Sequence, residues 1–298
     1  MIGAIIGDIA GSTFEFASCK TKIFPLFAPG SSYTDDTLMT LAVAQALARA
    51  SERGLSPCFG TFMRRMARRF PSPMGGYGAR FSQWLASDDP KPYGSLGNGS
   101  AMRVSPCAEI ADSLPMALSL AKQSAEVTHC HPEGIRGAQA VAGAVYLARA
   151  GRDKAAIRSL IEREFYPLHQ TIEQIRPLYR FDETCRGTVP QAITAFLGSE
   201  DFEDALRIAV SLGGDSDTLA CITGSIAWPY YARRNPDEAM HRLRRQALSL
   251  LPEDLRAFVV AWDEAADGDL SSRPWNLAAR ESVHDALRKC TLAGYDSQ

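Results

Sequence analysis

The chain has 298 residues, 46% of them apolar and 22% charged, with a formal net charge of −2. This is the profile of a soluble globular chain able to bury a full core, and its balance excludes a general pull toward nucleic acid or anionic membrane. Seven cysteines with no CxxC spacing exclude a zinc ribbon and a disulfide framework, and they fit reduced thiols in a cytoplasm.

The opening "MIGAIIGDIAGSTFEF" is apolar but has no basic leader region, and Asp8 interrupts it. It reads as neither a signal peptide nor a membrane span. Gly3, Gly7 and Gly11 recur every four residues, although each Gly costs a helix about 1 kcal/mol relative to Ala. The stripe predicts a second backbone packed closely on this helix, which is then central and has Glu15 at its far end.

Next comes "SSYTDDTLMTLAVAQAL", residues 31–47, with Asp35 and Asp36 just ahead of a predicted helix over 36–50. One Asp there is explained as an N-cap; the second is not. "RRMARRF" places Arg64, Arg65, Arg68 and Arg69 on adjacent helical rows and reads as a solvated face. Residues 71–106 are dense in Pro and Gly. A loop that long in a helical domain reads as a functional surface rather than a boundary. Its end, "YGSLGNGSAMRVSP", offers Gly-rich backbone suited to cradling a phosphate.

Apolar residues then recur at three- and four-residue intervals over 114–127, 134–150, 152–165, 201–212, 217–232, 236–250 and 253–266. "NPDEAM" places Asn235 as an N-cap with Pro236 at the first helical position. Alternating β-branched runs are nearly absent, so the fold class is all-α, in one domain spanning 1–298 with no linker. "VTHCHPEG" sets His129 and His131 beside Thr128, as donors to substrate hydroxyls or phosphate.

"LGGDSDTLACITGSIA" repeats the acidic arrangement: Asp215, Asp217 and Thr218 ahead of another apolar helix. If the two turns meet, four carboxylates converge, a set that is costly to bury unpaired. A divalent cation resolves that cost. Oxygen donors select Mg²⁺, Mn²⁺ or Ca²⁺ over zinc, and the donor number fits a two-metal site.

Together "GAIIGDIAGSTFE", "YTDDTLMTLAVAQAL", "GNGSAMRVSP", "THCHPEGIRGAQAVAGAVYLA" and "SLGGDSDTLACITGSIA" resemble the ADP-ribosylglycohydrolase family, in order and over about three quarters of the chain. The resemblance implies an orthogonal multi-helix bundle, a binuclear Mg²⁺ or Mn²⁺ centre and hydrolysis of the bond joining ADP-ribose to an acceptor. By motif, the metal ligands would be Thr34, Asp35, Asp36, Asp215, Asp217 and Thr218. Glu15, Asp35, Asp36 and Asp217 would be catalytic, with Glu15 moving the proton. Gly97, Asn98, Gly99, Ser100, Ala101 and Met102 would line the diphosphate, and His129 and His131 would contact substrate. The expected partner is the ADP-ribose moiety of a modified protein or small molecule, with arginine the leading acceptor and serine a second. No nucleic-acid or membrane partner is expected. A non-catalytic binding member of the fold and a Mg²⁺-dependent phosphoester hydrolase are the rival readings. Pro229 should kink the helix after the second acidic turn, and residues 165–200 and 234–298 match nothing in the family pattern.

Overall fold

The computed structural model describes residues 1–266 and 277–292. Its α-helices in chain order are α1 (Ile2–Gly11), α2 (Asp35–Arg53), α3 (Phe59–Arg69), α4 (Ala79–Ala86), α5 (Gly99–Met102) and α6 (Ser105–Ile110). Then follow α7 (Leu114–Glu126), α8 (Pro132–Arg149), α9 (Lys154–Glu164), α10 (Ile172–Ile175) and α11 (Cys185–Gly198). The last are α12 (Phe202–Ser211), α13 (Ser216–Ala232), α14 (Glu238–Leu250), α15 (Glu253–Ala266) and α16 (Leu277–Leu292). A 3₁₀ turn, Ser12–Phe14, carries α1 on toward Glu15. Among the described residues there is no strand, only isolated bridges pairing Thr34 with Met74 and Gly97 with Thr184. The all-α class holds, and no described helix is long and apolar enough to cross a membrane.

Helix α1 is buried from end to end and lies against α13, which also packs on α8, α11 and α12. Its three glycines make that approach possible. A β-carbon at Gly3, Gly7 or Gly11 would run into the backbone of Gly224, Ala220 or Ser216. Because neither helix can shift along this seam without a clash, their ends are held in register. Glu15, just past α1, is thereby set beside Asp215 and Asp217 at the start of α13.

Two local expectations are corrected, and the helix holding Pro229 is placed. The α14 cap is Asp237, whose side chain accepts from Met240 N at 2.7 Å, so the helix begins two residues later than "NPDEAM" proposed. Helix α13 runs through Pro229 to Ala232; the proline sits in its last turn, where little helix remains to disrupt. The arginine run of α3 is not a plain solvated face. Arg64 donates to Ser87 O at 2.7 Å and Arg69 forks onto Asp254, so the row clasps neighbouring segments. The 71–106 stretch, for its part, contains α4, α5 and the start of α6 between its glycine turns.

Candidate active site

The first acidic turn is built on Thr34 rather than on an aspartate. Thr34 is the N-cap of α2, and its Oγ1 accepts from Asp36 N at 3.2 Å. Both Asp35 and Asp36 therefore fall in the first turn, where the helix end favours negative charge. Behind them stands Asp8 of α1, fully buried. It accepts from Thr34 N at 2.9 Å, Thr34 Oγ1 at 2.7 Å, Thr37 N at 3.1 Å and Thr37 Oγ1. Thr34, predicted as a cation ligand, is also a cap and a strut to Asp8, and its Oγ1 keeps a lone pair beyond the bond it accepts from Asp36 N. Asp8 was not among the predicted site residues. Its signal was available: one acid in an otherwise apolar, glycine-striped helix.

The second turn depends on glycine geometry. Gly213 and Gly214 both have left-handed backbones, with φ of 72° and 74°. They turn the chain so that Asp215 caps α13 without a side-chain cap bond. Its carboxylate is free for other partners, and Asn98 Nδ2 donates to its Oδ2 at 2.6 Å. Thr218 Oγ1 donates to Asp36 Oδ2 at 3.2 Å, so the two remote helix starts touch. Oxygens of Glu15, Asp215 and Asp217 lie within 4.8 Å of one another.

So dense a set of acids resists ionisation. Burial, then the neighbouring carboxylates, pushes Asp35, Asp36 and Asp217 well above the usual aspartate range. Glu15 is pushed up to about 7 by burial and then by Asp215 and Asp8. Burial takes Asp8 to about 6, against the pull of its four hydrogen bonds. One atom is left over: Asp36 Oδ1 is buried without a hydrogen-bond partner. An orphaned carboxylate oxygen among crowded carboxylates fits a hard divalent cation, which would satisfy the lone pair and offset the repulsion together. Asp35, Asp36, Asp215, Asp217, Thr218 and Glu15, with Thr34 at the same helix start, are the residues able to hold it.

These acids line one side of a cleft of about 410 Å³. Gly97, Asn98, Gly99 and Met102 line it too, as does His129. Asn98 is the keystone of this wall. Its N donates to Glu183 O at 2.8 Å, and its side chain reaches Thr188 Oγ1 at 3.0 Å as well as Asp215. Ser100 and Ala101 are fully buried behind the wall, Ser100 Oγ donating to Gly134 O at 2.7 Å. His131 is exposed, outside the cleft, and caps α8 by accepting from Glu133 N at 3.0 Å. The structure thus separates two histidines that the sequence placed together.

Sequence reasoning missed Arg103, Tyr93, Arg80, Phe16, Phe181 and Glu183, all in the lining. Arg103 stood inside the quoted glycine segment, whereas Phe181 and Glu183 lie in a stretch that matched no motif. Phe16 and Phe181 stack at the cleft mouth with centroids 6.4 Å apart, 77% and 50% exposed. Gly75 closes another side. Its φ is 76°, a left-handed backbone that suits glycine, and it lies against the Glu15 carboxylate.

Fold and site define an all-helical protein, among the described residues, with an acidic cluster able to hold a cation at one side of a cleft. A profile of the family described as ADP-ribosylglycohydrolase matches residues 1–263. The chain belongs to the ADP-ribosylglycohydrolase family, and it is an enzyme of that kind, hydrolysing glycosidic bonds to ADP-ribose. It is 26% identical to the ADP-ribosylhydrolase ARH3 of Mus musculus, covering 80% of this chain and 84% of that one. It is 25% identical to the ADP-ribosylarginine hydrolase Tri1 of Pseudomonas putida, over 78% of this chain and 69% of that one. It is 26% identical to the ADP-ribosyl-dinitrogen reductase glycohydrolase of Rhodospirillum rubrum, over 77% and 83%. A solved structure described as an ADP-ribosylglycohydrolase-related protein complex shares the fold, with a TM-score of 0.58 at 24% identity, covering 84% of this chain and 95% of that one.

Proposed function

We propose that the whole chain acts as one catalytic domain that removes ADP-ribose from arginine on a modified protein, with two Mg²⁺ or Mn²⁺ ions held by Thr34, Asp35, Asp36, Asp215, Asp217 and Thr218. The observation that carries this reading is the contact between the acidic turns, Thr218 Oγ1 on Asp36 Oδ2 at 3.2 Å beside the orphaned Asp36 Oδ1. Ions bound there supply Lewis acidity and a lowered pKa for water. Glu15, whose carboxylate lies within 4.8 Å of those of Asp215 and Asp217, is placed to move a proton to or from water at that centre. Gly97, Asn98, Gly99 and Met102 flank the diphosphate, and His129 contacts the ligand. Ser100 and Ala101 support that wall from behind, and His131 is left to its helix cap. An arginine acceptor is supported by the activity named for the Pseudomonas putida relative.

The test is release of ADP-ribose from arginine- and serine-ADP-ribosylated peptides, with Mg²⁺ or with chelator. Release from arginine that chelator abolishes is expected. Release from serine alone would overturn the acceptor, binding without release would favour a non-catalytic member, and inorganic phosphate as product would favour a phosphoester hydrolase.

A further inference from the structure

We propose that Arg103 and Thr128 form a relay that fixes His129 as the neutral tautomer with its proton on Nε2, aimed into the cleft as a hydrogen-bond donor to an oxygen of the ligand. Arg103 is 1% exposed, and its Nη2 donates to Ser124 O at 2.9 Å and to Thr128 Oγ1 at 2.8 Å. Thr128 is 0% exposed, and its Oγ1 lies 2.7 Å from His129 Nδ1.

The proton count decides the direction. Arginine can only donate, so one lone pair of Thr128 Oγ1 is taken. If Nδ1 carried the proton, it too would donate to Oγ1, and the threonine proton would be buried with no acceptor. Leaving a buried donor unmade costs about 1–3 kcal/mol. The arrangement that satisfies every group has Thr128 donating to Nδ1, which places the imidazole proton on Nε2.

That nitrogen faces the glycine wall. A β-carbon at Gly97 or Gly99 would lie 3.6 or 3.3 Å from it, so glycine at both positions keeps the approach open. The Tyr93 ring, centroid 6.0 Å away and covered by Arg80, flanks the imidazole on the cleft side. Burial and then the charges of Arg103 and Arg80 hold His129 well below its usual pKa, so the donor is neutral rather than cationic. Arg103 and Thr128 are positioning residues, acting through His129. The ligand role of His129 rests on the proposed function; its tautomer does not.

The experiment uses ¹⁵N-histidine-labelled full chain at pH 7.5 without ligand, with His129 resonances assigned by Gln substitution. Nitrogen–proton correlation should show Nε2 protonated and Nδ1 bare, and a protonated Nδ1 would overturn the relay. Thr128→Val should populate the other tautomer and raise KM about tenfold with kcat within about twofold, as expected for one lost ligand hydrogen bond. Thr128→Ser should restore both. An unchanged tautomer in Thr128→Val would equally sink the relay, and the wild-type spectrum decides if the valine variant does not fold. A protonated Nε2 in a protein that releases no ADP-ribose would leave the relay standing and remove the proposed function.

Discussion

Thr218 Oγ1 donates to Asp36 Oδ2 at 3.2 Å across a sequence separation of 182 residues. That bond joins the starts of α2 and α13, and it leaves Asp36 Oδ1 buried with no partner. The fold therefore holds a carboxyl oxygen that its own polar groups do not satisfy.

Asp36→Asn removes this acid and keeps the shape. In chelator the variant should be more stable than the parent by about 1 kcal/mol or more, because a buried, repelled carboxylate is gone. Divalent-ion binding should fall at the same time. Chemical denaturation with and without Mg²⁺ measures both, and a variant that binds ions as before would remove Asp36 from the centre.

The pH dependence of the ion-free protein follows from the same crowding. Asp8 moves from 3.8 to about 6 and Glu15 from 4.5 to about 7, so the folded chain holds protons that the unfolded chain has already released. Stability falls wherever the native state binds more protons. It should be greatest below the ordinary carboxylate values and decline as pH rises through about 6 to 7. Mg²⁺ should flatten that decline. Melting temperatures in chelator from pH 4 to 8, compared with those of Glu15→Gln, check the sign; a parent that does not lose stability relative to this variant as pH rises would contradict the site.

Asn98→Ala takes away the amide that holds Asp215 and bridges to Thr188. Loss of such a supporting partner lowers metal affinity about 10–100-fold. Calorimetric titration with Mn²⁺ would reveal it, and unaltered binding would show that Asp215 needs no such hold.

Glu15→Gln should lower kcat by about 10²–10⁴, the usual worth of a positioned proton-transfer group. Melting in chelator should not fall, since the change removes repulsion and no ion pair. A variant as active as the parent would leave the proton transfer to another residue.

Gly7→Ala tests the seam between α1 and α13. The added methyl meets the backbone of Ala220 and lies 2.8 Å from Cys221 N, and neither can yield as a flexible side chain would. Urea denaturation should show a loss of about 3 kcal/mol or more. The parent's stability in this variant would mean the helices can part without cost.

Much of this was legible in one dimension because it is local. Apolar positions three and four apart give α2, α7, α8 and α13 their lengths within a few residues, since a helix buries one stripe whatever surrounds it. The acidic turns announced themselves by having more carboxylates than a cap requires. Sequence by itself thus determined the helical class, the family and the chemistry of the donors. It could not tell His129 from His131, two residues apart, one facing the cleft and the other capping a helix in solvent. Nor could it show that Asp8 braces Thr34, or that Phe181 and Glu183, on an unmatched stretch, come to the cleft. Those are decided by which helix faces are pressed together. The closest pressing, glycine against backbone between α1 and α13, is what brings carboxylates from opposite ends of the chain into one place.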